Sequence, residues 1–125
     1  MYNRLGTVTD SCVDALLSIA ENAQWKINKG PDVDYETAHF GSRKFIKIPP
    51  GGWIKRHSDN GGRPDGTRVI HVVLSTNSQC INHSYSSTEQ KIHLEQNGIY
   101  MFDTWPEHES FNRGDTDRIH LVMDV

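Results

Sequence analysis

Residues 98–125 read GIYMFDTWPEHESFNRGDTDRIHLVMDV. Three runs rich in aromatic, aliphatic and β-branched residues, Gly98–Asp103, Pro106–Asn112 and Arg118–Asp124, stand apart here, the last two separated by the turn-formers of Arg113–Asp117. Runs of this length and texture read as strands whose alternate side chains point to opposite faces. The same texture continues upstream, in Gln90–Leu94, Gln79–Tyr85, Arg68–Thr76, Trp53–His57 and Lys44–Ile48. The breaks fall at Gln96-Asn97, Ser86–Thr88, Asn77-Ser78, Asn60–Gly66 and Pro49-Pro50-Gly51-Gly52. Eight short strands at this spacing predict a mainly β sandwich or barrel. Two four-stranded sheets facing each other, a jelly roll, are the natural eight-strand arrangement.

Ahead of the strands the pattern is helical. Thr9, Asp10 and Ser11 can cap a helix start, and Val13, Leu16, Leu17, Ala20 and Ala23 follow one helical face. Gly30-Pro31 is expected to stop it. The predicted organisation is one domain over residues 1–125, with a helical part at about 9–30 and a jelly-roll core at about 43–125. No linker, internal repeat or low-complexity segment interrupts it.

Composition agrees with one such domain. The chain has 125 residues, 35% of them hydrophobic and 23% charged, with a mean hydropathy of -0.63. A net charge of -3 leaves no basic footprint, so nucleic acid is not an expected partner. The opening MYNRLGTVTD is polar, and no apolar run approaches a membrane span. The expectation is a cytoplasmic protein, neither secreted nor membrane-bound. Cys12 and Cys80 belong to no CxxC or CxxH pattern, which fits a reducing compartment, and each is expected to be a small buried residue.

Seven histidines invite the question of which ones can converge. In His57-Ser58-Asp59 the imidazole and the carboxylate lie two residues apart, so a strand sends both to one side. His108 lies 51 residues downstream, and Arg118 opens the last strand ten residues further on. In a jelly roll the second and seventh strands are neighbours, so His57, Asp59 and His108 can meet. Two histidines and a carboxylate occupy one face of an octahedral iron(II) and leave three positions open. Two of these can chelate the keto and carboxylate oxygens of 2-oxoglutarate, and the third is left for dioxygen. The far carboxylate of that co-substrate then needs a fixed cation. Arginine suits it, because it stays charged and grips a carboxylate with two parallel hydrogen bonds. By strand alternation Trp53 and Lys55 share a face with His57, His120 shares one with Arg118, and Arg68 and His71 face opposite ways.

From Pro49 to Val125 the chain resembles the aspartyl/asparaginyl β-hydroxylase-like branch of the 2-oxoglutarate oxygenases. The matching pieces are Pro50-Gly51-Gly52, His57-Ser58-Asp59, the strand Arg68–Leu74 with His71, Phe102-Asp103 followed by His108, and Arg118 before Leu121–Asp124. Their order and spacing carry the resemblance; no single piece does. It implies a double-stranded β-helix with one or two N-terminal helices, iron(II) at His57, Asp59 and His108, 2-oxoglutarate at Arg118, and His71 near the co-substrate. Many members have an arginine two residues before the histidine of that strand. Here Arg68-Val69-Ile70-His71 is one residue longer, so Arg68 is not carried over.

The expected activity is hydroxylation of an unactivated C–H bond in an amino acid, a peptide or protein side chain, or a small metabolite, with release of succinate and CO2. Two other readings use the same residues differently. A cupin-like metal-dependent hydrolase or isomerase would keep the three ligands without the co-substrate, and Arg118 would then have no task. A non-catalytic β-sandwich binding module would make the convergence a coincidence. The loop Asn60–Gly66 holds Gly61, Gly62, Pro64 and Gly66 and follows Asp59 directly, so the expectation there is either a lid closing over bound substrate or a static turn that only joins two strands.

Overall fold

The computed structural model describes residues 2–59, 66–86 and 89–125. Most of the expected lid, residues 60–65, therefore lies outside the described residues. Eleven strands and one helix follow the order β1 Tyr2–Thr7, α1 Asp10–Glu21, β2 Lys26–Lys29, β3 Val33–Phe40, β4 Arg43–Ile48, β5 Trp53–His57, β6 Arg68–Ser75, β7 Cys80–Ser84, β8 Gln90–Ile92, β9 Gly98–Asp103, β10 His108–Asn112 and β11 Arg118–Asp124. They form one antiparallel ladder, β1-β9-β6-β11-β4-β3-β5-β10-β7-β8, with β2 added on β3. The ladder curls on itself. β3 pairs with β4 through Glu36–Phe40 and with β5 through Val33 and Asp34, so it passes from one half of the sheet to the other. The two ends are drawn together by the Tyr2 amide, which donates to Gln90 Oε1 at 3.1 Å.

Both faces of the central strands are covered, and this explains the near-continuous apolar run of β6. Val69 and Val73 point into the curl with Tyr2, Leu94, Tyr100, Phe102 and Val122. Val72 and Leu74 point out, where Val13 and Ala20 of α1 pack on them with Ala38, Phe45 and Leu121. A strand buried on both faces loses the polar alternation that marks a half-exposed one.

The helix starts where its cap predicts: Thr9 Oγ1 accepts from the Cys12 amide at 3.2 Å. It does not run on to Gly30. It ends at Glu21, and the Trp25 indole donates to the Ala20 carbonyl at 3.0 Å, satisfying one acceptor that the last turn leaves open. Residues 26–29, expected to be helical, pair instead with β3, and Gly30-Pro31 lies in the hairpin turn between them, with the Gly30 amide on the Val33 carbonyl. The sheet thus begins well before residue 43, because β1, β2 and β3 all join it. Cys80 is buried as expected, whereas Cys12 is exposed on the outer face of α1.

The Pro49–Gly52 segment sets the entry of β5. A Cβ on Gly52 would sit 2.5 Å from the Asp34 carbonyl oxygen, so only glycine lets the chain pass this close to β3. The Gly51 amide donates to the Asn112 carbonyl, and the Asn112 amide donates to Gly52, which ties this turn to the end of β10.

Candidate active site

β5 and β10 run antiparallel with His57 directly opposite His108. The pairing then slips, because Ser110 faces Ile54 although two residues separate His108 from Ser110 and three separate His57 from Ile54. β5 therefore carries a bulge at Lys55-Arg56, and alternation breaks there. The consequence corrects the simple strand reading. Ile54, not Trp53 or Lys55, shares the cavity face with His57. Lys55 turns outward to Asp32 at 3.3 Å, and Arg56 turns outward to Glu107 at 2.7 Å.

His57, Asp59 and His108 come together. One ligand atom from each lies within 4.8 Å of the others. The His57 and His108 rings are 4.4 Å apart, and His57 Nε2 is 3.7 Å from Asp59 Oδ1. Each ring spends its Nδ1 on a main-chain carbonyl: His57 on Lys55 at 2.7 Å, His108 on Pro106 at 2.8 Å. A carbonyl only accepts, so both rings carry the proton on Nδ1 and present an Nε2 lone pair, the form a metal ligand needs. Burial lowers the pKa of His108, against the opposing pull of its bond to Pro106, so the ring stays neutral. The Asp59 amide donates to the Thr104 carbonyl at 3.0 Å, which extends the β5 edge and aims the carboxylate. Three nitrogen and oxygen donors of this kind, with open space on one side, fit an iron(II) face.

That space is a cavity of about 400 Å³. Arg118 and His71 line it with the three ligands, as do Tyr35, Thr37 and Lys44. A larger groove of about 600 Å³ lies beside α1 around Trp25 and Lys47, away from the ligand set. Arg118 is 2% exposed. Its guanidinium donates to His120 Nδ1 at 3.0 Å and, weakly, to Asn82 Oδ1 at 3.4 Å. Among the described residues it has no carboxylate partner, and burial pushes its pKa down to about 10. Burial raises the pKa of the nearby Tyr2 hydroxyl to about 12, against the opposing pull of Asn82 and Arg118. His71 and His120 are both buried, and their Nδ1 atoms lie 2.8 Å apart. Burial, and after it the Arg118 charge, holds both rings well below the ordinary histidine range. Arg68 faces outward to Asp103 at 3.3 Å, as its alternation with His71 requires.

Behind the ligands, the outer face of the same strands is braced. Arg56 lies 3.6 Å over the Tyr85 ring, and Tyr85 donates to Glu109. His83 Nε2 bonds Glu89 at 2.6 Å. These contacts tie β5, β10 and β7 together directly behind His57 and His108.

Two features of the site go beyond the sequence reading, which set His120 on the face of Arg118 but did not join it to His71. β3 supplies Tyr35 and Thr37 to one cavity wall; its alternation of polar and apolar residues is the only signal, and it is shared with many surface strands. His120 belongs with Arg118 and His71, and its position two residues after Arg118 is the signal that finds it.

A family model described as aspartyl/asparaginyl β-hydroxylase matches residues 22–125. Comparison with curated protein sequences finds no match. Among solved structures, the non-heme α-ketoglutarate-dependent carbocyclase SnoK from nogalamycin biosynthesis superposes with a TM-score of 0.71 at 10% identity, covering 98% of this chain and 78% of that one. The viral collagen prolyl hydroxylase of Paramecium bursaria Chlorella virus-1 gives 0.67 at 12% identity, covering 97% and 93%. A predicted oxalate decarboxylase from Thermotoga maritima gives 0.60 at 18% identity, covering 84% and 94%. At these identities the likeness is one of fold, a cupin-type jelly roll, and that fold serves more than one chemistry. The family match separates them.

Proposed function

Since the chain belongs to the aspartyl/asparaginyl β-hydroxylase family, we propose that it hydroxylates an unactivated C–H bond of an amino acid, peptide side chain or small metabolite, with His57, Asp59 and His108 holding iron(II) and Arg118 holding 2-oxoglutarate. The observation that carries this reading is Arg118: a buried guanidinium, facing the cavity of the three ligands, with no carboxylate partner among the described residues. A buried cation costs several kcal/mol unless an anion meets it. The distal carboxylate of a dicarboxylic co-substrate is such an anion. A hydrolase or isomerase with the same three ligands has no use for it.

When bound, iron(II) with 2-oxoglutarate supplies the oxidising chemistry that inserts one oxygen atom of dioxygen into the substrate C–H bond, leaving succinate and CO2. The chain's own residues bind and orient. His57 and His108 offer Nε2 lone pairs held in place by their Nδ1 bonds. Asp59 adds the charge and the third donor. Arg118 would hold the distal carboxylate of the co-substrate, and His71, which lines the same cavity, would stand near it. Tyr35, Thr37 and Lys44 form the wall that a substrate would meet. The cavity of about 400 Å³ suits a small or flexible substrate. The reading of residues 1–125 as one domain is supported by β1 and β2, which join the same sheet as the candidate ligands.

Two measurements test the reading. Iron(II) with 2-oxoglutarate, mixed without oxygen, should give a weak visible charge-transfer band. Succinate formation should then be stimulated by a member of a panel of amino acids and peptides. A protein that binds iron(II) and shows no 2-oxoglutarate affinity would refute the proposal and return the hydrolase reading.

A further inference from the structure

Three buried groups around Arg118 must share their protons in a way that leaves little choice. A guanidinium has only N–H donors, and it contacts His120 Nδ1 at 3.0 Å. That nitrogen therefore carries a lone pair and no proton. The same His120 Nδ1 lies 2.8 Å from His71 Nδ1. Two lone pairs cannot face each other at that distance, so the proton in this contact sits on His71 Nδ1. His120 then accepts twice at one atom, and its remaining proton is on Nε2, which is buried and has no hydrogen-bond partner. His71, neutral with its proton on Nδ1, keeps a lone pair on Nε2, the one polar ring atom left for the cavity it lines. The diagonal placement across β6 and β11 makes the contact possible: His120 pairs with Val73, and His71 pairs with Val122.

We infer that His120 is a positioning residue of the co-substrate site, holding Arg118 in place and fixing the tautomer of His71 through a single unprotonated Nδ1. Its functional part rests on the assignment of Arg118 to 2-oxoglutarate; its tautomers do not. Fixing Arg118 matters because a planar fork grips a carboxylate only in one plane. Fixing His71 decides what that ring does. With a lone pair at Nε2 it receives a hydrogen bond from a water or from a substrate N–H or O–H, and it is not a second cation for a carboxylate.

The first test needs no metal or co-substrate. Long-range proton–nitrogen correlation on the 15N-labelled wild-type chain at neutral pH should show His71 protonated at Nδ1 and His120 at Nε2. A proton on His120 Nδ1, or on His71 Nε2 alone, overturns the inference. The second test separates the acceptor from the volume of the ring. Asparagine places Oδ1 where Nδ1 stands, glutamine reaches the Nε2 position, and leucine has no acceptor. By calorimetric titration of 2-oxoglutarate into Mn(II)-loaded protein, His120→Asn should stay within about threefold of wild type. His120→Gln and His120→Leu should each lose roughly ten- to a hundredfold, the worth of a hydrogen bond to a charged group. Asparagine as poor as leucine, or all three at wild-type affinity, would refute the positioning role. A wild type that binds no 2-oxoglutarate would refute the reading of Arg118 instead and leave the tautomers standing.

Discussion

Arg118→Met should make the protein both more stable and unable to bind its co-substrate. Methionine keeps the length and the apolar stem of arginine and removes the charge. In the structure, burial holds the guanidinium pKa down from 12.5 to about 10. At 1.36 kcal/mol for each tenfold change, that is about 3 kcal/mol against the charged form in the folded chain. The group is charged in both folded and unfolded states at pH 7, so the whole of this acts against folding. The substitution relieves it but strands two acceptors, His120 Nδ1 and Asn82 Oδ1. His120 Nδ1 keeps its bond from His71, and the Asn82 contact is long at 3.4 Å. Their loss costs about 1–2 kcal/mol, leaving a net gain of about 1–2 kcal/mol. Urea unfolding of the ligand-free proteins measures it. Millimolar 2-oxoglutarate should then stabilise the wild type, as any ligand of the folded state does, and leave the variant unmoved. If Arg118→Met is less stable than wild type by more than about 1 kcal/mol, the guanidinium is already satisfied by its neighbours, and the argument that it awaits an anion fails.

Other outcomes follow from the same geometry. His57→Ala or His108→Ala should abolish Mn(II) or iron(II) binding at micromolar concentration, while Asp59→Ala keeps weak metal binding and loses hydroxylation; titration of each variant checks this. His71 and His120 are neutral when folded and titrate near 6.5 when unfolded, so the unfolded chain takes up protons first. Stability should be full above about pH 7 and should fall below about pH 6.5, with each ring contributing a slope approaching 1.4 kcal/mol per pH unit. His120→Asn should remove one ring's share of that slope, and an unchanged slope would place the titration elsewhere. Thr9→Ala removes the cap on the Cys12 amide and should cost about 1 kcal/mol in thermal or urea unfolding, without touching metal affinity.

The strands that could be read were those whose pattern is local. Trp53–His57, Gly98–Asp103 and Arg118–Asp124 keep the expected bounds, because turn-formers bracket short runs rich in aromatic and aliphatic residues. β1 and β2 could not be read, since Tyr2–Thr7 and Lys26–Lys29 are largely polar and exposed and owe their form to the neighbours they pair with. β3 was hidden for a different reason. Its inner face looks onto a polar cavity, so Tyr35 and Thr37 stand where a core strand would show aliphatic residues. The convergence of His57, Asp59 and His108 was legible because two histidines and a carboxylate are residue types that suit one face of a metal ion. The face each side chain takes was not, because a bulge is a matter of pairing between distant strands. The same holds for the meeting of His71 with His120, which depends on the register between β6 and β11.

The bulge at Lys55-Arg56 sets two outward-facing residues where a regular strand would hold one. Removing either of these two outward-facing residues would restore regular alternation between β5 and β10. Ile54 and His57 would then stand two apart, so His57 would keep the cavity face opposite His108, and the loss would fall on the outer face, on Lys55 with Asp32 or on Arg56 with Glu107. A single-codon deletion there therefore trims the outer brace while leaving each of the three candidate ligands on its face.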